Sequence, residues 1–303
     1  MSLTSKLESI LFIAGKPLAF KKLAGLAGCK EKEVEDQVAG QNLILTIDKN
    51  LQLKACEEIK NGVKIYEAKS GAVIIMDPYS GAILAMCNFP DFDPESYNKV
   101  EDINLFNNPA IFYGYEPGSI FKTITLSAGL DLKKITPQST YEDTGEVKII
   151  GHKPIKNFDQ KAHGLQTMTQ VLEKSLNTGA VYVESLIGKK DFVRYVKDFG
   201  FGEITGIGLS AENPGNISPL DKRGDIYAIT SSFGQGITVT PIQFITAFSA
   251  LINGGKLMKP YIVEKITTDL ETVLEAKPEV IRQVISPTTS ALTYPFSQCV
   301  LPS

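Results

Sequence analysis

Apolar positions change their period several times along this chain. Leu7, Ile10, Leu11 and Ala14 recur at helical spacing, and Gly15-Lys16-Pro17 closes that segment. Leu18, Phe20, Leu23, Ala24 and Ala27 form a second helical stretch. Gly28-Cys29-Lys30 then reads as a tight turn into a third, over residues 31–38. Three short helices with a glycine turn before the last predict a helix-turn-helix unit over residues 1–39. Near Gly40 the pattern changes. Residues 42–47 alternate as a strand does, and Asp48 is a good N-cap for a helix to about Lys60, with Leu51, Ala55 and Ile59 on one face. Two apolar runs, 72–76 and 82–86, flank Asp77-Pro78-Tyr79-Ser80-Gly81 and predict a β-hairpin. A loop rich in Asn, Pro and Tyr follows, up to Gly118. Helical patterns then dominate over 119–131, 167–187, 189–199 and 241–253, and 258–267 reads as a strand. Strands followed by a block of helices predict an α+β fold.

Composition narrows the classes of function. The 303 residues allow one large domain or two ordinary ones. With 43% hydrophobic and 21% charged residues, an extensively disordered chain, a collagen and a coiled-coil rod are excluded. The net charge of −3 excludes wholesale phosphate neutralisation. The third N-terminal helix sets Glu31, Glu33, Glu35 and Asp36 against Lys30 and Lys32. No nucleic acid is therefore expected as a partner, and that helix reads as a solvated face in preference to a protein-binding one. There is no apolar run of about 18 residues and no signal-peptide pattern, so the chain as written is expected in the cytoplasm. Cys29, Cys56, Cys87 and Cys299 are scattered, no Cys-x-x-Cys occurs, and His152 and His163 are the two histidines. Four buried or half-buried thiols and no metal site are expected.

The sharpest chemical feature is Glu116-Pro117-Gly118-Ser119-Ile120-Phe121-Lys122. Ser119 falls at a helix start and Lys122 three residues later, so the two share a helix face. A serine hydroxyl is a weak nucleophile until a neighbouring base takes its proton, and a lysine with a lowered pKa can be that base. The helix N-terminus also offers partial positive charge to a developing anion. Ser-x-x-Lys alone recurs by chance, and taken by itself it reads as an N-cap ahead of an exposed lysine in preference to a catalytic pair. Ser175-Leu176-Asn177 follows 56 residues after Ser119, between helical patterns. Its serine can relay a proton, and its asparagine amide can hold a substrate amide through donor and acceptor. A capping serine with a turn asparagine is the plain alternative.

From about Gly40 to Pro287 the chain resembles the transpeptidase domain of class B penicillin-binding proteins. The blocks that carry the resemblance are Leu45-Thr46-Ile47-Asp48, Met76-Asp77-Pro78 with Gly81 and Ile83–Met86, Tyr115–Lys122, Ser175-x-Asn177-Thr178, and Gly234-Gln235-Gly236 leading to Thr240-Pro241-x-Gln243. The first two motif types, with a third Lys-Thr-Gly, characterise this family and its serine β-lactamase relatives. The resemblance implies a serine D,D-transpeptidase of peptidoglycan cross-linking that needs no cofactor and no metal. Ser119 would attack the penultimate D-Ala carbonyl of a stem peptide, Lys122 would be the base or a partner in proton transfer, Ser175 would help shuttle the proton and Asn177 would position the substrate amide. β-Lactams would acylate the same Ser119. The family acts at the cell membrane facing the cell wall, with cell-division or elongation machinery as partners. Residues 1–39 resemble instead the winged-helix region of segregation and condensation protein B, through Leu7–Leu18 and Leu26–Cys29.

The third motif does not follow Asn177 in these 303 residues. Lys69-Ser70-Gly71 is the only similar triplet, and it precedes the first hairpin. Residues 293–303 show no helical or strand period, so 288–303 reads as an atypical tail. The expected architecture is thus a helical winged-helix-like fragment (1–39), a truncated penicillin-binding transpeptidase domain with an incomplete sheet (40–287) and that tail (288–303). Loss of an oxyanion donor costs about 10²–10³ in rate, so an impaired enzyme is expected. Two other readings stand beside it: a non-catalytic interaction protein related to chromosome segregation, and a β-lactam binder without turnover.

Overall fold

A computed structural model describes residues 20–30, 42–267 and 272–298. The chain falls into two units, one formed by Met1–Leu45 with Val263–Glu275 and the other by Thr46–Ile262 with Ala276–Ser303.

In the first unit, helix α1 (Phe20–Ala27) is the second of the three expected N-terminal helices. The first, over 7–14, and the third, over 31–38, lie outside the described residues, as does most of the winged-helix resemblance. Strand β1 (Asn42–Leu45) pairs antiparallel with a later strand (Val263–Thr267), which also pairs with a third (Thr272–Glu275). Every residue of β1 is exposed.

The second unit opens with helix α2 (Lys49–Ile65), longer than expected. Its N-cap is Asp48, whose side chain accepts from the backbone N–H groups of Asn50 and Leu51. The hairpin is as the pattern predicts: β2 (Gly71–Met76) and β3 (Ile83–Phe89) pair antiparallel, from Gly71 opposite Phe89 to Met76 opposite Ile83. Asp77 organises its turn by accepting from Tyr79 N and Ser80 Oγ. Gly81 closes it at φ +87°, where a Cβ would meet the Lys259 carbonyl. Helix α2 is tied to β3 by Gln52, whose side-chain amide both donates to Met86 O and accepts from Met86 N, each at 2.8 Å. Among the described residues the hairpin is a two-stranded sheet. Met76 and Ile83 pack with Ala110, Ile111, Ile242 and Met258, so one face of it is covered.

The cysteine expectation is corrected here. Cys56 on α2 and Cys87 on β3 form a disulfide, with Cα atoms 5.4 Å apart. Their separation of 31 residues says nothing locally, and the contact exists because α2 packs along β3. Cys29 is free, and Cys299 lies outside the described residues.

Beyond the hairpin come a one-turn helix α3 (Pro109–Phe112), a 3₁₀ turn (Gly118–Phe121) and helix α4 (Lys122–Asp131). Residues 122–130 of α4 are all buried. A helix without a polar face belongs at the centre of a core. The main core gathers around it, with Phe121, Ile124, Met168, Leu176, Phe192 and Phe201 among its most enclosed members. Short strands follow: β4 (Thr140–Asp143) pairs with β7 (Gly164–Thr167), and β5 (Glu146–Val147) with β6 (Ile155–Lys156).

The single helical pattern over 167–187 is two helices, α5 (Met168–Glu173) and α6 (Asn177–Ile187). The break falls at Ser175, a non-glycine residue at φ +53°. Helices α7 (Lys189–Asp198), α8 (Ile226–Ser231) and α9 (Pro241–Ala250) complete the block. The strand expected over 258–267 is interrupted. Its first part is β8 (Lys256–Met258), and the residues beyond Ile262 belong to the other unit's sheet. Pro260, which has no N–H to give a ladder, lies in the gap. A later strand (Val280–Gln283) pairs with β8.

The final helix, α10 (Pro287–Gln298), corrects the expectation of a tail without period. Its hydroxyls take the place of an apolar stripe. Thr289 Oγ1 donates to Asp131 Oδ1, and Ser290 and Thr293 both donate to Leu251 O, each at 2.8 Å. Tertiary hydrogen bonds, invisible to periodicity, hold this helix.

Candidate active site

The segment before Ser119 is laid down by pairing. Tyr115 and Val239 exchange both backbone hydrogen bonds at 2.9 Å, and Gly118 N donates to Gly234 O at 3.0 Å. Glu116 Oε1 accepts from Gly236 N at 2.8 Å. Gly118 (φ +59°) and Gly234 (φ +80°) approach so closely that a Cβ at 234 would run into the Gly118 backbone. This side-by-side arrangement puts the Gly234–Thr240 block against the serine motif. The chain then enters the 3₁₀ turn with Ser119 exposed, and Lys122 follows as the first residue of α4.

Lys122 is 1% exposed. Its Nζ lies 3.1 Å from Ser119 Oγ, 3.0 Å from Ser175 Oγ and 2.6 Å from Ser175 O. The helical spacing of serine and lysine thus delivers a direct contact, and the second serine arrives from 53 residues away. Burial pushes the Lys122 ammonium down from the ordinary lysine range to about 7. A lysine so placed is substantially unprotonated near neutral pH and can accept the Ser119 proton.

The second motif occupies the break between α5 and α6. Ser175 keeps its left-handed backbone, a conformation unfavourable for residues with a Cβ and often found where side chains are aimed for function. Its N–H donates to Leu172 O at 3.1 Å, and Leu176 N donates to Val171 O at 2.9 Å. Leu176 is buried in the core, which anchors the loop between two exposed-side positions. Asn177 opens α6, and its Nδ2 donates to Lys156 O at 2.8 Å, which fixes the orientation of the amide. Ser119, Ser175 and Asn177 line one cleft of about 350 Å³, with Phe233 and Gln235 contributed by the Gly234 block. Lys122 is buried against two of those three.

Several residues at this cleft escape sequence reasoning. Asn157, Phe158, Asp159 and Lys174 also line it. Phe158 is 97% exposed at its rim. The first three follow β6 in a loop with no period to read, and Lys174 ends α5, where the helical pattern gives no sign of a cleft. Asp143-Thr144-Gly145 carries only a turn signal, yet Asp143 is buried behind the second motif and bonded to Asn157 and Thr178. Lys69-Ser70-Gly71 enters β2 and is not among the residues of the cleft.

Comparison with known proteins gives a consistent result. A family described as the penicillin binding protein transpeptidase domain matches residues 71–294. Stage V sporulation protein D of Bacillus subtilis is 37% identical over 254 residues, which are 83% of this chain and 39% of that protein. Peptidoglycan D,D-transpeptidase FtsI of Escherichia coli K12 is 30% identical over 231 residues, 76% of this chain and 38% of that one. The chain therefore spans about two fifths of the length of these relatives. Penicillin binding protein 3 of Mycobacterium tuberculosis, solved in complex with aztreonam, superposes with a TM-score of 0.78 at 25% identity, covering 87% of this chain and 59% of that one.

Proposed function

The chain belongs to the penicillin-binding protein transpeptidase family, and from that premise we propose that Ser119 is the nucleophile of a D,D-transpeptidase acting on peptidoglycan stem peptides. The observation that carries this reading is the buried Lys122 amine, 3.1 Å from Ser119 Oγ and 3.0 Å from Ser175 Oγ. In the first half-reaction the unprotonated Lys122 takes the Ser119 proton as Oγ attacks the carbonyl of the penultimate D-Ala. The proton passes through Ser175 Oγ to the departing D-Ala amine, and the peptidyl group stays on Ser119 as an ester. In the second half an acceptor amine on a neighbouring stem attacks that ester, its proton returns by the same route, and Ser119 is regenerated. Asn177, oriented by Lys156, holds the amide of the donor peptide. A β-lactam enters the same first step, with the ring amide as the bond that breaks.

The Cys56–Cys87 disulfide supports work in an oxidising compartment, outside the cytoplasm. Among the described residues no helix is long and apolar enough to cross a membrane.

The test is labelling of the purified 303-residue chain with a fluorescent penicillin, beside Ser119→Ala. Label that the parent takes up and the variant does not supports the reading. Absence of label from folded parent protein, or equal label on both, overturns it.

A further inference from the structure

Asp143, at the end of β4, is 1% exposed and lies outside the lining of the cleft. Its Oδ1 accepts from Gly145 N at 2.9 Å, from Asn157 Nδ2 at 3.1 Å and from Thr178 Oγ1 at 2.8 Å. Its Oδ2 accepts from Asn157 Nδ2 at 2.9 Å and from His163 N at 3.1 Å. Among the described residues it forms no ion pair within 4.0 Å. A buried carboxylate without a cation is costly to retain, and for stability alone apolar packing serves as well or better. What this one gains is geometry. Its donors come from four separate places: its own turn, the end of β6, the approach to β7 and the first turn of α6.

The hydrogens leave little freedom. Tyr141 Oη lies 3.1 Å from Thr178 Oγ1, and burial pushes the Tyr141 phenol up to about 12, so it is a donor there. Thr178 has one hydroxyl hydrogen and directs it to Asp143, its shorter contact. Asn157 Oδ1 is then left to accept from Thr178 N at 3.3 Å. The chain of contacts is Tyr141 to Thr178 to Asp143, with Asn157 bridging Asp143 and the Thr178 backbone. Thr178 is the neighbour of Asn177 and lies three residues from Ser175. Asn157 is the neighbour of Lys156, whose carbonyl orients Asn177.

We propose that Asp143 is a positioning residue of the transpeptidase site: it pins the first turn of α6 and Asn157 together, and so fixes where Ser175 and Asn177 stand relative to Lys122. The inference rests on the acyl-serine reading above. It assigns to a residue behind the cleft the placing of a motif that Ser175, with its left-handed backbone, does not hold by local preference.

The experiment compares the full 303-residue chain with Asp143→Asn, which keeps the shape but turns an amide N–H toward groups that are themselves donors. Acylation by a fluorescent penicillin, normalised to folded protein, falls about 10²-fold, the cost of a misplacement near 1 Å. A second readout is amide hydrogen exchange, in which residues 174–179 lose protection while α9 keeps it. A third is the pH profile. When Ser175 moves away, the Lys122 ammonium loses two acceptors, and the acid limb of acylation moves to lower pH. A general loss of stability moves neither the limb nor one segment selectively. Acylation within threefold of the parent with an unmoved limb overturns the inference and leaves the acyl-serine reading standing. If the parent itself takes no label, that reading fails, and exchange over 174–179 alone decides: unchanged protection overturns the inference, selective loss supports it. Should Asp143→Asn fail to fold, Thr178→Val removes one donor to Asp143 together with the acceptor of Tyr141 Oη, and takes its place in all readouts, with an expected loss of about tenfold.

Discussion

Lys122 and Asp143 are equally hidden, each 1% exposed, and the fold treats them in opposite ways. Lys122 meets three oxygens, two of them hydroxyls at the cleft, and burial brings its proton affinity down to about 7. Asp143 meets donors only, on both oxygens, and none of the donating groups takes part in the proposed chemistry. A buried group that must exchange a proton is bonded to hydroxyls that can pass one on. A buried group that must hold other groups still is hydrogen-bonded on every side. The difference separates reactivity, at the start of α4, from positioning, at the end of β4, and it can be attacked experimentally from either end.

The strongest test of the reactive half is Ser119→Ala, which eliminates covalent β-lactam labelling altogether, as read by intact-protein mass. Lys122→Met comes next. Acylation falls about 10²–10⁴-fold, while thermal stability rises by about 1–2 kcal/mol, because a desolvated amine is replaced by an apolar chain of similar length. The sign of the second effect follows from linkage. The folded-state value near 7 lies below the unfolded lysine value, so between them the unfolded chain binds a proton that the folded chain does not. Stability of the parent relative to Lys122→Met therefore improves as pH rises from 7 toward 10. A melting series that shows a constant offset would mean that Lys122 stays charged in the fold.

The pH dependence of acylation is a milder probe of the same contrast. Below about pH 7 the rate drops tenfold per unit as Lys122 takes up its proton, and a flat profile from pH 5 to 8 would remove lysine from the role of base. The smallest effect on acylation is expected from the disulfide. Replacing Cys56 and Cys87 by serine lowers unfolding free energy by about 3–4 kcal/mol, read from the denaturant midpoint. Acylation of the protein that remains folded changes less than threefold, since the bridge joins α2 to β3 and touches no residue of the cleft.

The hairpin, α2 with its Asp48 cap, and the Ser119–Lys122 face were legible because each is a local device. Alternation, a capping carboxylate and a one-turn spacing are all written within a few residues. The Ser175-Leu176-Asn177 triplet stood out by its residue types but not as structure, since its helix break depends on a single left-handed residue. Asp143, Asn157 and the rim residue Phe158 were not legible at all. Their strands are two to four residues long, too short to show a period, and their partners are 14 to 35 residues away. Helix α10 and the Cys56–Cys87 bridge failed for the same reason, because each is created by its tertiary neighbour.

The backbone contact of Gly118 with Gly234 also bears on how this protein can evolve under drug selection. Any side chain at 234 would push on the carbonyl next to the nucleophile, so a variant there that loses the drug loses the reaction with it. Phe158 sits at the cleft with its side chain almost wholly in water, where replacement disturbs no packing. On the acyl-serine proposal, substitutions that change β-lactam acylation while keeping acylation by stem peptide are therefore expected on the rim and not at the glycine pair.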